Sequence, residues 1–164
     1  MEIRKATKKD IDNIAELYVS NWRETYRGLV SDEYLDGMTL EYAVNKWKYH
    51  VRSTGKLILA AYEEERFAGF AACSPDMEIA DCLFLASLHI SPEYRSRGIG
   101  SALIRECLQY AGTNGFTSMS ITVINGNDRA KKLYMRLGAV HHSWFDDILS
   151  NGEAAPSEKL IWLL

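Results

Sequence analysis

One stretch, Leu88–Tyr110 (LHISPEYRSRGIGSALIRECLQY), constrains the fold of this chain more than any other. It begins as the end of an apolar strand. Pro92 has no N–H to donate and disfavours helix in the residue before it, so the strand should stop at Ser91. A basic loop with two glycines follows, and apolar residues then recur at helical spacing, at Ile99, Leu103, Ile104, Leu108 and Ala111. The pattern predicts a strand that runs through a loop into a helix.

The loop has the properties of an anion-binding site. The first amides of a helix lack intrahelical partners, and the helix dipole adds partial positive charge there. Gly98 and Gly100 have no Cβ atoms to keep a ligand away from these amides, and Arg95 and Arg97 add formal charge. The loop therefore predicts a phosphate or pyrophosphate site.

Two common phosphate-binding loops do not match the spacing. A Walker loop ends in Gly-Lys-Ser/Thr, whereas Gly100 is followed by Ser101 and Ala102. The dinucleotide fingerprint needs a third small residue where this chain has Leu103. The remaining pattern, Arg-x-x-Gly-x-Gly after a strand ending in Leu-x-Ile and Ser-Pro, resembles the acyl-CoA-binding signature of the GNAT superfamily of N-acetyltransferases. The alternative is a helix start whose glycines serve packing and whose arginines are solvated.

A second segment, Asn127–Gly138 (NDRAKKLYMRLG), resembles the family pattern Asn-x-x-Ala-x-x-x-Tyr-x-x-x-Gly. Three- and four-residue steps stack on one helix face, so Asn127, Ala130 and Tyr134 should lie together. The resemblance implies that Asn127 binds the pantetheine arm or pyrophosphate side of acetyl-CoA. It also implies that Tyr134 donates a proton to the leaving thiolate, which suits an uncharged donor with an ordinary pKa of about 10. The alternative for Tyr134 is a core aromatic residue.

The predicted cofactor site combines the end of the strand, the loop and this second helix. Where the family's two central parallel strands splay apart, unpaired backbone groups of the first strand should bind pantetheine amides. The site comprises Leu88, His89, Ile90, Arg95, Ser96, Arg97, Gly98, Ile99, Gly100, Ser101, Asn127, Ala130 and Tyr134.

The first predicted helix carries an aromatic face that includes Trp22 and Tyr26. In a subset of the family, which this region resembles, the two early helices form one wall of the acceptor cleft. Trp22 and Tyr26 are therefore predicted to bind the acceptor. Core packing at four-residue spacing is the alternative.

The chain departs from the family at the general base. Many members carry a glutamate six residues before Ile90, where this chain has Phe84. His89 has a suitable pKa range, but regular strand alternation predicts that it faces away from Phe84 and Leu88, which indicates a structural role. No His, Cys and carboxylate cluster has metal-ligand spacing, so no metal is expected.

Composition indicates a folded protein that is neither disordered nor fibrous. Apolar residues make up 47% of the 164 residues and charged residues 25%, with a net charge of −3 that argues against nucleic acid as the main partner. The three cysteines form no CxxC pair and are expected to be core thiols of a cytoplasmic protein. No signal region or membrane-length apolar segment is expected to be present.

The order of predicted elements indicates a single domain over residues 1–164. It should be an α/β fold with one central sheet of about seven strands flanked by helices on both faces, and the family resemblance implies that this sheet is mixed. The resemblance implies direct acetyl transfer from acetyl-CoA to a primary amine, either a small molecule or a peptide, by a possible homodimer. A catalytically weak protein that senses acyl-CoA is the main alternative, because the glutamate is missing. A nucleotide-phosphate module fits the loop spacing less well.

Overall fold

A computed structural model describes residues 1–164, which form one mixed sheet with helices against it. The strands are β1 (Glu2–Lys5), β2 (Leu57–Glu63), β3 (Arg66–Pro75), β4 (Cys82–Ile90), β5 (Ser118–Ile124), β6 (Val140–Ile148) and β7 (Ala154–Leu163). The α-helices are α1 (Ile11–Thr25), α2 (Asp32–Gly37), α3 (Leu40–Arg52), α4 (Ile99–Thr113) and α5 (Asp128–Arg136). Short 3-10 turns, Lys8–Asp10 and Pro92–Tyr94, precede α1 and α4.

The sheet has the order β1-β2-β3-β4-β5-β7-β6. Neighbouring strands are antiparallel except β4 and β5, which are parallel. A parallel pair needs a crossover connection, and α4 provides it. The predicted α/β fold, with a mixed sheet of about seven strands, is confirmed.

Helices cover both faces of the sheet, as predicted. On one face, here called the α4 face, the larger core joins Leu83 and Leu85 of β4 to Leu103 of α4. On the opposite α1 face, a second core surrounds Trp47 and Phe70. The site therefore lies in a sheet whose two surfaces are held by different helices.

The 3-10 turn that leads into α1 begins at a capping box. The Thr7 side chain and the Asp10 carboxylate cap each other's backbone amides. Burial raises the pKa of Asp10, but hydrogen bonds from Arg4, the Thr7 backbone and Tyr62 more than offset this effect and leave the pKa below its ordinary value. This ionised cluster joins β1, β2 and the start of α1.

A bulge in β4 decides which way its last side chains point. The pairing of β4 with β3 skips Ala86, so Leu85 and Leu88 both face the α4 side although they are three residues apart. Phe84 alternates with its neighbours onto the α1 face, where the His89 ring also lies, against Tyr18. The prediction that His89 faces away from Phe84 is therefore wrong. The prediction that His89 faces away from Leu88 is confirmed.

The two parallel strands separate soon after they meet. Only Cys82–Leu85 and Ser118–Ile121 pair with each other. Beyond Leu85, β4 continues to Ile90 with β3 as its one strand partner. The backbone N–H and C=O groups on its other edge therefore have no hydrogen-bond partners in a neighbouring strand. This opening has the splayed form that the family resemblance implied.

The three cysteines, Cys73, Cys82 and Cys107, are all buried and free, as expected for core thiols. None of the helices is both long enough and apolar enough to pass through a membrane.

Candidate active site

A cleft of about 730 Å³ opens where β4 and β5 separate. Its lining comes from the end of β4, the loop and first turn of α4, α5 and the end of α1. The structure brings together in this cleft all of the predicted cofactor residues except Arg97. These are Leu88, His89, Ile90, Arg95, Ser96, Gly98, Ile99, Gly100, Ser101, Asn127, Ala130 and Tyr134.

Helix α4 begins at this cleft. Gly98 is its N-cap residue and has φ 83°, in the left-handed region where glycine is unstrained. No side chain caps this end of the helix, so the first helical amides are free to donate. An anion in the cleft would accept those hydrogen bonds in the favourable field of the helix dipole.

The guanidinium of Arg95 bonds within the protein. Its Nη1 lies 2.8 Å from Glu24 Oε1, its Nη2 donates to Asn21 Oδ1 at 2.9 Å, and its Nε donates to the Ile90 carbonyl at 3.3 Å. The Asn21 amide donates to the same carbonyl at 3.1 Å. Arg95 therefore fastens the end of β4 to α1, and Glu24 offsets its charge.

The basic side chains of the cleft that make no ion pair come from α5. Arg129, Lys132 and Arg136 line it, at positions that share one helix face. Arg129 Nη2 donates to Ser96 Oγ at 3.1 Å and so links α5 to the loop before α4. Arg97 does not line the cleft; its guanidinium lies 5.4 Å from the centre of the Tyr94 ring.

The sequence motifs do not single out these α5 cations, because they place positive charge on the loop alone. Their signal was present as three- and four-residue spacing on the helix that carries Tyr134. Asn21 was also missed. It carries no local signal, because its two partners lie about 70 residues further along the chain.

Tyr134 lines the cleft. Its side chain is buried against Trp162, with ring centres 6.0 Å apart in an edge-to-face arrangement. Burial, together with the nearby Tyr26, raises the pKa of Tyr134 well above the ordinary value. The residue is therefore a neutral phenol that holds its proton at physiological pH.

The two aromatic residues predicted for the acceptor have different positions. Tyr26 lines the cleft, where burial raises its pKa and a hydrogen bond with the Asn127 side chain partly opposes that rise. Trp22 packs behind it, with ring centres 4.3 Å apart, and does not line the cleft. Trp22 also contacts Tyr34 of α2, so it connects the helices that cover the α1 face.

His89 is held as a neutral imidazole. Its ring lies between Tyr18 and Phe70, with centroid separations of 5.5 and 5.4 Å. Burial lowers the pKa of His89 to about 3, and the positive charge of Arg95 acts in the same direction. A base so weak would rarely take a proton from an alkylammonium.

Phe84, at the position of the missing glutamate, lies beside a buried ion pair. The Lys159 ammonium is 5.7 Å from the centre of the Phe84 ring and donates to Asp76 Oδ2 at 2.9 Å. Burial raises the pKa of Asp76, but hydrogen bonds from Ser120 Oγ, backbone amides and Lys159 lower it to about 2. The Asp76 carboxylate is therefore held ionised by hydrogen bonds and an ion pair within the chain.

Asp147 of β6 is a half-buried carboxylate on the α1 face. It pairs with Ala155, which is buried in a small core with Leu35 of α2. Burial raises the pKa of Asp147, and the charge of Lys159 partly opposes this rise. Sequence pattern does not single it out, because its burial depends on the pairing of β6 with Ala155 of β7.

A separate depression of about 340 Å³ lies between α2, α3 and the β6–β7 loop. Glu33, Tyr34, Tyr42 and Ser150 are among its lining residues. It contains none of the residues predicted from the sequence.

The mixed sheet of this chain is opened, a free helix N terminus lies at the opening, and a neutral phenol lines the cleft. This arrangement is the one expected of an acyl-CoA-dependent acyltransferase. The family model described as "Acetyltransferase (GNAT) family" matches residues 12–139. The chain therefore belongs to the GNAT acetyltransferase family, and the family predicted from the sequence is confirmed.

Individual relatives agree with this assignment. The uncharacterized N-acetyltransferase YuaI of Bacillus subtilis (strain 168) is 30% identical over 128 residues, which cover 76% of this chain and 72% of that protein. The spermidine N(1)-acetyltransferase of Thermoplasma acidophilum is 28% identical over 143 residues, 84% of this chain and 87% of that protein. The crystal structure of the PaiA N-acetyltransferase from Thermoplasma acidophilum in complex with coenzyme A has a similar fold, with a TM-score of 0.76 at 21% identity over 99% of this chain and 98% of that one.

Proposed function

We propose that this chain transfers the acetyl group of acetyl-CoA to a primary amine by direct attack, without a covalent enzyme intermediate. One observation carries the proposal: the free N terminus of α4, the unpaired edge of β4 and the Tyr134 phenol all meet in a single cleft. An anion site, a peptide-like edge and a proton donor match the pyrophosphate, the pantetheine and the thiol of the cofactor in that order.

Each part of the cofactor has a proposed site. The pyrophosphate lies on the amides of Arg97–Ser101, and the cations of α5 neutralise the phosphates. The pantetheine pairs with the backbone of Leu88–Ile90, and Asn127 hydrogen-bonds it from the other side. Arg95 is a positioning residue, because it holds the Ile90 carbonyl and α1 together.

The proposed reaction is a single displacement. The amine nitrogen attacks the thioester carbonyl carbon, the N–C bond forms, and the C–S bond then breaks. A backbone N–H near Ile90 polarises the carbonyl oxygen, and Tyr134 gives its proton to the leaving thiolate. The nitrogen that has formed the N–C bond loses one proton to water, and a proton from water restores the Tyr134 phenol. The neutral phenol suits this role, because it adds no charge to the cleft before transfer.

We propose that the acceptor enters from the α1 face, past the Tyr26 ring that Trp22 supports from behind, and that it is a cationic amine. Asp147 supports this class, because it is a half-buried carboxylate that makes no hydrogen bond or ion pair within the chain. A relative named for spermidine acetylation supports it too. Small-molecule amines and peptide amines both fit. We further propose that residues 1–164 act as one domain in the cytoplasm and assemble as a homodimer.

A coenzyme A release assay with a panel of amines tests the function. Spermidine, a lysine-containing peptide and a peptide with a free N terminus are expected to include at least one acceptor. Asp147→Asn should then raise KM for that acceptor and leave the Kd of CoA unchanged. If CoA raises the melting temperature but no amine releases thiol, the chain senses acyl-CoA instead; a shift with ATP and none with CoA would contradict both.

The pH profile shows how the acceptor loses its proton. An alkylammonium with a pKa of about 10.4 must be deprotonated before attack. Because His89 and Asp76 have pKa values of about 3 and about 2, we expect bulk water to take the proton. Log(kcat/KM) should rise with unit slope and break near the acceptor's own pKa, moving as amines of different basicity are compared. A break fixed between about 6 and 7.5 for every amine would indicate an enzyme base, and Asp147 would be the first residue to replace.

A further inference from the structure

The two edges of the sheet differ in how they meet solvent. The β1 edge is four residues long and largely charged (EIRK), a common way to keep an edge strand from pairing. The β6 edge is nine residues long and pairs on one side only, with β7. It carries exposed large apolar side chains: Val140, Trp144 and Ile148 are 51%, 61% and 65% exposed. Such an edge is a template for another strand.

The sequence of β6 is self-complementary about Trp144. Two histidines precede Trp144 and two aspartates follow it, in VHHSWFDDI. His141, Trp144 and Asp146 pair with Leu160, Glu158 and Pro156 of β7, which are successive alternate residues, so all three side chains share one face.

The bulge in β6 makes the spacing symmetric. His141 is three residues before Trp144 and Asp146 is two after it. The register shift between His141 and Ser143 absorbs the extra residue His142. Measured along β7, His141 and Asp146 are therefore equally far from Trp144. In an antiparallel pair of two β6 strands centred on Trp144, each His141 would face the Asp146 of the other copy.

We propose that this edge is a self-association surface, at which the β6 strands of two copies pair antiparallel around Trp144 and extend the sheet across both. The two Trp144 rings meet at the two-fold axis, and a histidine and an aspartate face each other on either side. His141 Nδ1 already lies 2.7 Å from Glu158 Oε2, and its Nε2 makes no hydrogen bond within the chain. A two-fold axis satisfies both His–Asp contacts at once, so a second copy fits this edge better than an unrelated strand. This surface specifies the homodimer proposed above and does not depend on acetyl transfer.

Sedimentation velocity tests the assembly. The wild-type protein should sediment with twice the 18.6 kDa mass of one chain. Trp144→Glu, which brings two carboxylates together at the axis, should give the mass of one chain. Tyr49→Glu, which changes a similarly exposed aromatic residue on α3, should leave the dimer intact. A monomeric wild type, or a dimer that survives Trp144→Glu, would overturn the proposal.

A disulfide tests the register without relying on loss of binding. Directly opposed residues in an antiparallel pair have Cα atoms about 4.5–5.5 Å apart, within the range that a disulfide spans. Because the native cysteines are buried, mild oxidation of Trp144→Cys should link two chains covalently. In this register Ile148 lies far from Ile148 of the other copy, so Ile148→Cys should not cross-link although the position is equally exposed. Efficient linking of Ile148→Cys, or none of Trp144→Cys, would show that the strands do not pair about Trp144.

Discussion

Replacing Tyr134 with Phe is expected to lower kcat by about 10²–10⁴ while the Kd of CoA barely changes. The change removes only the hydroxyl, and the ring that packs against Trp162 remains. Burial already keeps the phenol protonated, so the lost function would be donation of that proton to the thiolate. Steady-state kinetics with a saturating amine, together with CoA binding by calorimetry, measures both quantities.

Tyr110→Phe provides the matched control. Tyr110 packs against the same core from α4 but does not line the cleft, so its hydroxyl has no proposed part in the reaction. Its kcat should stay near the wild-type value. If Tyr134→Phe also keeps the wild-type kcat, Tyr134 is a packing residue and water protonates the thiolate.

Replacing Gly98 with Val is expected to abolish stabilisation by CoA. For the wild type, CoA at about a hundred times its Kd should add about 2.7 kcal/mol to the free energy of unfolding. That amounts to an increase of about 5–10 °C in Tm for a chain of this size. A side chain at Gly98 would enter open space at the start of α4, where the pyrophosphate is proposed to bind.

The Gly98→Val variant needs a control for backbone strain, because a non-glycine residue in the left-handed region lowers the free energy of unfolding by about 1–2 kcal/mol. Gly115, just beyond the other end of α4, has the same φ of +83° and equally open surroundings. Gly115→Val should therefore lower the Tm of the free protein about as much and keep the full shift with CoA. Equal CoA shifts in the two variants would place the pyrophosphate away from this loop.

The local parts of the site can be predicted from the sequence. The Ser-Pro stop, the glycine loop and the apolar spacing after it predict the strand, turn and helix at which the cleft opens, because backbone preference and helical periodicity act over a few residues. The same holds for Asn127, Ala130 and Tyr134, which one short helix places on the cleft. The cap at Thr7 and Asp10 is equally local.

Tertiary structure decided which of these residues are free to act. Arg95 looks like a ligand for phosphate in the sequence, yet Asn21, 74 residues away, and Glu24 occupy its guanidinium. The free cations lie on α5 instead. Partners so distant along the chain are chosen by packing, and packing has no local sequence signal.

The faces to which the β-strand side chains point were likewise set by tertiary structure. Regular alternation fails where a bulge inserts one residue, and the bulge at Ala86 brings His89 to the same face as Phe84. A similar shift in β6 brings His141 to the same face as Trp144 and Asp146. The position of a bulge depends on how two strands pair, so neither strand alone contains it.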